Sequence, residues 1–259
     1  MSNKLEVFFT HSLKILIGGI EGAGMRAIAE YCCDFGHQIF GYDDCEPHSS
    51  DESPSLYYHP FSYDDLPLVD ILIVSTALDD QHQLLQRARQ LGITVVQRPD
   101  FLVFLSQYYK VIGITGTYGK TTCSALLQHF LTSLGVEHDF IIGGQLRSIA
   151  RSAKAHCQKQ RAPFLLIELD ESRPFSSLWA FEILCILNIA PDHLEFFADG
   201  WSEYQKNIIS LIPKSKICTL PESLKHYSKN VPCIFYSDNP LALAKPLPFA
   251  ASSLGVARS

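Results

Sequence analysis

The chain has 259 residues, 47% of them apolar and 19% charged, which excludes a disordered chain and leaves room for two domains with a sizeable core. A net charge of −6 argues against general nucleic-acid binding, which needs a basic excess. No apolar run approaches the roughly 18 residues that span a bilayer, and residues 1–13 lack the apolar core of a signal peptide, so no membrane association and a cytoplasmic location are expected. The eight cysteines form no Cys-x-x-Cys pair and fall mostly in apolar runs, as buried free thiols do in a reducing compartment.

Residues 13–18 read as a buried strand. The turn Gly19-Ile20-Glu21-Gly22-Ala23-Gly24 follows, then a helix with Met25, Ile28, Ala29 and Cys32 at helical spacing and Gly36 as its stop. Residues 38–43 form a second strand that ends in Asp43, which completes a βαβ unit of the doubly wound kind. The turn is close to a dinucleotide fingerprint, but Glu21 stands where the middle glycine lets a pyrophosphate approach. A ligand-free βα turn and an altered phosphate loop are both open at this point. Residues 46–68 read as a long irregular segment and 69–74 as a third strand ending at Ser75. A helix over 79–91 places Leu84, Leu85, Ala88 and Leu91 on one face and stops at Gly92. Residues 93–96 are a fourth strand, and Pro99 opens a short helix carrying Phe101, Leu102 and Leu105. A domain boundary is expected near residue 109, giving units 1–109 and 110–259.

The most informative stretch is Gly113-Ile114-Thr115-Gly116-Thr117-Tyr118-Gly119-Lys120-Thr121-Thr122. It follows an apolar strand and opens an apolar-periodic segment, so it reads as strand, glycine loop and helix. Glycines turn backbone N–H groups around an anion, and the helix N-terminus adds its positive dipole end. Lys120 would reach the outer phosphates of ATP, and the Thr121 hydroxyl would ligate Mg²⁺. The spacing is irregular, because the strict pattern wants a glycine at position 114, where this chain has Ile114. The helix that follows carries Leu126, Leu127, Phe130, Leu131 and Leu134 and stops at Gly135. Residues 140–142 are a strand ending in Gly143-Gly144. The basic stretch 147–161 reads as a solvated helix face or loop. Residues 164–169 and 183–187 are apolar strands that run into Glu168, Asp170 and Glu171, and into Asn188-Ile189-Ala190-Pro191-Asp192-His193. In an open parallel sheet that C-terminal edge is where ligands bind. A helix around 199–212 and a strand near 216–219 come next. The two units together predict an α/β protein: a Rossmann-like N-terminal domain followed by a P-loop α/β domain.

Four runs taken together resemble the Mur ligase family, the ATP-dependent amino-acid ligases of peptidoglycan precursor synthesis. They are Gly19 to Met25 with Ile28-Ala29-Glu30, Gly116 to Thr122, Glu168-Leu169-Asp170-Glu171-Ser172, and Asn188 to His193. The resemblance covers residues from about 13 to about 215. Within the family the Glu-Leu-Asp-Glu-Ser run and Gly-Ala-Gly-Met favour the alanine-adding type over the tripeptide-recycling type.

The resemblance implies UDP-N-acetylmuramate and L-alanine as substrates and an acyl phosphate as intermediate. It implies ATP bound at Gly116, Thr117, Tyr118, Gly119, Lys120, Thr121 and Thr122, with Lys120, Glu168 and His193 as the catalytic set. Thr121, Glu168 and His193 would hold Mg²⁺, while Asp170 and Glu171 are local scaffold. Gly22, Ala23 and Gly24 would face the diphosphate, and Asp43 and Ser75 the uridine or sugar. The family also has a third domain of about 150 residues. Nothing in residues 240–259 resembles it, so a separate chain supplying it, or a binding remnant without turnover, is the corresponding expectation. A nicotinamide-dependent oxidoreductase is disfavoured by Glu21 and by the second phosphate loop.

Overall fold

A computed structural model describes residues 3–44, 57–58, 66, 68–146, 150–156, 161–228 and 230–237. The expected irregular segment at 46–68 falls largely outside these residues, as does the stretch from 240 onward. Two sheets organise the rest. After a short helix α1 (Asn3–Glu6), the first sheet is built from β1 (Lys14–Gly18), β2 (Gln38–Tyr42), β3 (Tyr57–Tyr58), β4 (Ile71–Val74) and β5 (Thr94–Gln97). Their spatial order is β3-β2-β1-β4-β5 and every pairing is parallel. Helices α2 (Ala23–Asp34), α3 (Gln83–Gln90) and α4 (Arg98–Ser106) cover it.

Alternation along β1 explains the two-sided covering. Ile15 and Ile17 pack with Met25 and Ile28 of α2 and with Phe101 and Leu105 of α4. Leu16, between them, packs with Leu84, Leu85 and Ala88 of α3 on the other face. Gly36 and Gly92 close their helices in the left-handed region, at φ 96° and 68°, as their sequence positions predicted. Leu91 does not join the α3 stripe. It is the residue that caps the helix, and it lies 43% exposed.

The second sheet comprises β6 (Lys110–Thr115), β7 (His138–Leu146), β8 (Arg151–Lys154), β9 (Phe164–Glu168), β10 (Phe181–Ile186), β11 (Ser215–Pro221) and β12 (Cys233–Tyr236). Its order is β12-β11-β10-β6-β9-β7-β8, and only the β7–β8 pairing is antiparallel. Helix α5 (Lys120–Ser133) lies on one face over β6, β7 and β9, and α6 (Trp201–Ile209) contributes Tyr204 and Ile208 to the core on the other. The α5 stripe therefore splits. Leu127 and Leu131 pack against the sheet, whereas Leu126, Phe130 and Leu134 are 55%, 58% and 76% exposed.

The basic stretch expected to be solvated contains instead the edge strand β8, which docks on α2. The buried Glu30 carboxylate accepts the Ser152 and Ala153 amides at 2.8 and 2.9 Å. Asp34 pairs with Arg151 at 2.9 Å and accepts the Ala155 amide at 3.0 Å. Burial raises the Glu30 pKa against the opposing pull of those two amides and of Arg151. Nearby, the Tyr31 and Tyr109 hydroxyls meet at 2.7 Å and Tyr109 donates to the fully buried Asp139. These contacts seat the first sheet's α2 on β8 and beside β7, which brings the two glycine turns towards one cleft. Among the described residues no helix is long and apolar enough to cross a membrane, and the described cysteines are free.

Candidate nucleotide site between the two sheets

In the second sheet β6 is flanked by β9 on one side and β10 on the other, although both come later in the chain. The chain reverses direction across the sheet there, so a crevice opens at the C-terminal ends of these strands. The loop 116–119 fills that position. Gly116 has φ 136°, and a Cβ on it would stand 3.0 Å from both the N and O of Asn188. Gly119 caps α5 at φ 83°. Both positions demand glycine.

Gly113 does not belong to the loop. It lies inside β6, where a Cβ would meet the Phe181 ring at 2.7 Å. The irregular glycine spacing thus has a simple cause: two glycines shape the loop and the third makes room for a ring in the core.

The segment after β10 staples the loop from outside. Tyr118 donates its amide to Asn188 Oδ1 and accepts from Asn188 Nδ2, both at 2.9 Å. The Thr117 hydroxyl donates to the Ala190 carbonyl, accepts the Ala190 amide and meets the Tyr204 hydroxyl at 2.9 Å. Burial pushes the Tyr204 pKa up to about 12, so its hydroxyl keeps its proton. With the loop held this way, the first turn of α5 directs its unsatisfied N–H groups into the crevice.

The end of β9 supplies two carboxylates, Glu168 and Glu171. Lys120 Nζ donates to the carbonyls of Gly116 and Thr117 at 2.8 and 3.1 Å and to Glu171 Oε1 at 2.7 Å. Glu171 is 1% exposed; burial raises its pKa and Lys120 opposes the rise. The Thr121 hydroxyl donates to Glu168 Oε1 at 2.9 Å, and Glu168 Oε2 accepts the Gly143 amide at 2.8 Å. Gly143 and Gly144 make this possible. A Cβ on the first would overlap Glu168 Oε1 at 2.6 Å, and one on the second would overlap Thr121 Cγ2 at 2.7 Å.

The loop of the first sheet has a different character. Gly19 turns at φ 81° against Ser75, with only 3.1 Å between a Cβ there and that of Ser75. The Glu21 amide donates to Asp43 Oδ2 at 2.9 Å, and the Glu21 carboxylate turns to Arg26 at 3.1 Å. Gly22 precedes α2, whose first turn holds Ala23 and Gly24. Ser75, Asp43 and the three loop residues thus gather at one sheet edge. Gly24 faces the Arg98 guanidinium, whose Cζ would lie 2.9 Å from a Cβ at that position. Arg98 in turn approaches Asp170 at 3.6 Å. Burial alone would raise the Asp170 pKa, but hydrogen bonding from Ser172 and the charges of Arg98 and Lys120 outweigh it and hold it below the ordinary value. A cavity of about 200 Å³ is lined by Gly24, Arg98, Lys120, Gly143, Glu168, Leu169 and Asp170.

Lys120, Thr121 and Glu168 therefore meet, and Gly24 of the first sheet's loop lies across the cavity from them. His193 lies on the same sheet edge beyond β10, 42% exposed at its side chain, beside Asp192 and Phe196. Among the described residues no hydrogen bond or ion pair joins it to Thr121 or Glu168, and no cluster of three or more His, Cys, Asp and Glu forms a metal site. Glu171, expected to be scaffold, holds the loop lysine. Asn188, Tyr204, Gly143 and Arg98 were not singled out as site residues by their local pattern. The one available signal was Gly143-Gly144, expected to end a strand but lying inside β7 where its pairing register shifts, a place where a close approach calls for glycine.

A mostly parallel sheet with a P-loop at its switch point, joined to a Rossmann-like sheet, defines a two-sheet α/β architecture. Residues 14–110 match the Mur ligase family catalytic domain and residues 114–225 the Mur ligase middle domain. The chain belongs to the Mur ligase family. It is 30% identical over 204 residues to a UDP-N-acetylmuramate–L-alanine ligase of Trichlorobacter lovleyi, covering 78% of this chain and 44% of that protein. It is 30% identical over 206 residues to the ligase of the same name from Geobacter sulfurreducens, covering 78% and 43%. The chain spans less than half the length of these relatives. Among solved structures, the UDP-N-acetylmuramate-alanine ligase of Thermotoga maritima superposes with a TM-score of 0.73 at 24% identity, over 86% of this chain and 53% of that one. A UDP-N-acetylmuramate:L-alanyl-gamma-D-glutamyl-meso-diaminopimelate ligase from Neisseria meningitides gives 0.73 at 21%, over 87% and 78%. These two likenesses are likenesses of fold.

Proposed function

We propose that this chain forms the ATP- and UDP-N-acetylmuramate-binding part of an alanine-adding Mur ligase. The observation that carries this reading is the cavity that has Lys120 and Glu168 on one wall and Gly24 of the first loop on the other. A nucleotide on the loop 116–122 and a UDP-sugar on Gly22, Ala23 and Gly24 would bring their reacting ends into that one space. A carboxylate oxygen of the sugar would attack the γ-phosphorus, and ADP would leave. The amine of L-alanine would then attack the acyl carbon, lose a proton and expel phosphate. Such chemistry asks for positioning and charge neutralisation rather than a protein nucleophile.

The residues supply those needs. Lys120 would exchange one of its present acceptors, Glu171 or a loop carbonyl, for a phosphate oxygen. The Thr121 hydroxyl and the Glu168 carboxylate, 2.9 Å apart, are hard oxygen donors that fit Mg²⁺. When bound there, Mg²⁺ supplies charge neutralisation at the phosphates. His193 is given the second-metal position by its place in the family pattern alone.

Calorimetry tests the reading. The chain is expected to bind ATP with Mg²⁺ and, separately, UDP-N-acetylmuramate. Lys120→Ala, made together with Glu171→Gln so that no buried charge is left unpaired, is expected to abolish the first and spare the second. Unchanged ATP affinity in that variant, or no binding of either ligand by the unmodified chain, overturns the assignment.

A further inference from the structure

Arg98 opens α4, the last helix of the first sheet, yet its guanidinium reaches the first turn of α2, at Gly24. The absence of a side chain at position 24 lets it come this close: a Cβ would stand 2.9 Å from Cζ and 3.0 Å from both Nε and Nη2. The side chain is 18% exposed, and its Nε is buried without a hydrogen-bond partner. Asp170, on the opposite sheet, approaches Nη1 at 3.6 Å, longer than the roughly 2.7–2.9 Å of a charge-assisted hydrogen bond. Glu168 also faces it electrostatically. A largely buried guanidinium with donors to spare, held beside an open cavity, is set up for a planar anion.

The cavity gives the direction. From Arg98 it runs to Lys120 and Glu168, and neither Asp43 nor Ser75 lines it. An anion held by Arg98 on that side stands between the sugar loop and the phosphate loop. Resting on the functional reading above, we infer that Arg98 binds the sugar-borne carboxylate that receives the phosphoryl group, and that Asp170 is a positioning residue that holds the guanidinium in place beforehand. Carboxylate oxygens would take the donors that Asp170 engages only loosely.

The test compares UDP-N-acetylmuramate with UDP-N-acetylglucosamine, which has the same diphosphate and sugar ring but no carboxylate. Affinities are measured by calorimetry for the unmodified chain, Arg98→Ala and Arg98→Lys, with ATP affinity as the check that each variant keeps its second sheet. Arg98→Ala is expected to weaken UDP-N-acetylmuramate by about tenfold or more, the worth of one charge-assisted bond. UDP-N-acetylglucosamine and ATP should stay within about twofold, and Arg98→Lys should recover part of the loss. An equal fall for both UDP-sugars places Arg98 on the diphosphate or in packing and overturns the inference, as does no change for either. If the unmodified chain binds ATP but neither UDP-sugar, the substrate reading and this inference fall together. If it binds both sugars and the preference survives Arg98→Ala, the inference alone falls.

Discussion

Two glycine-rich turns occupy equivalent places at the ends of β1 and β6, and they place charge differently. The turn after β6 carries its own cation. Lys120 is anchored by two loop carbonyls and by Glu171, and the flanking strand ends β9 and β10 brace the loop with Glu168 and Asn188. The turn after β1 carries a carboxylate instead. Glu21 spends it on Arg26, and the loop amide goes to Asp43. The positive charge at that turn arrives from α4, through Arg98, at the wall shared with the second sheet. One loop holds its cation within itself. The other borrows one from its neighbour.

Breaking the ion pair of the loop after β6 should have the largest effect. Lys120→Ala alone leaves Glu171, 1% exposed, as a buried carboxylate without its partner. Loss of one member of such a pair costs about 3 kcal/mol or more. The sign with pH follows from the direction of the shift. Burial already raises the Glu171 pKa above its ordinary value while Lys120 lowers it, so removing Lys120 raises it further. A carboxyl whose folded-state pKa lies above the unfolded one costs nothing when both states are protonated; the penalty grows as pH rises above the unfolded value and levels off above the folded one. Urea unfolding should therefore show a larger deficit at pH 8 than at pH 5, and adding Glu171→Gln should flatten the difference. A deficit that is equal at both pH values refutes the assignment of the loss to Glu171.

The same contrast explains what could be read from the chain before any coordinates. The βα periodicity, the helix stops Gly36 and Gly92, and the residues Lys120, Thr121 and Glu168 carry local signals: spacing, a glycine stop, or a carboxylate at the end of an apolar run. Arg98 and Glu171 carry none. Arg98 reads as the first residue of a proline-opened helix, and its role appears only when α2 docks on β8 and the two sheet edges face each other. Glu171 reads as one acid among three, and only burial separates it from Asp170. The exposed flank of α5 shows the converse. Helical spacing shows that Leu126, Phe130 and Leu134 share a face with Leu127 and Leu131, but not how much of that face the sheet covers.

The glycines that precede the two turns allow a finer comparison. Gly113 in β6 faces the Phe181 ring, which is 3% exposed and stacked on Trp179 at 5.3 Å. A methyl at 2.7 Å from a ring that cannot swing away is overpacking, and Gly113→Ala should destabilise by about 2 kcal/mol. Gly18 in β1 meets the ends of Leu84, Val74 and Leu78 at 3.1–3.2 Å, tight but able to give by a few tenths of an ångström. Gly18→Ala should cost under about 1 kcal/mol, within the range of small core adjustments. Denaturant midpoints at unchanged slope measure both. Equal costs would remove the ring as the cause.

The smallest effect is expected where the local pattern looked most disruptive. A carboxylate in place of the middle glycine would repel a diphosphate if it pointed into the turn. Here the Glu21 side chain is 16% exposed, with its Oε2 3.1 Å from Arg26 and its backbone N–H on Asp43. Replacing it by glycine keeps that amide bond and removes an ion pair worth at most about 1 kcal/mol. Glu21→Gly should thus lower stability by a similar amount and leave UDP-N-acetylmuramate affinity within about twofold. A gain of tenfold or more by calorimetry would mean that the carboxylate leaves Arg26 and guards the turn. In that case the first loop would be a phosphate site held shut by its own side chain, and its contrast with the second would lie in Glu21 rather than in the origin of the cation.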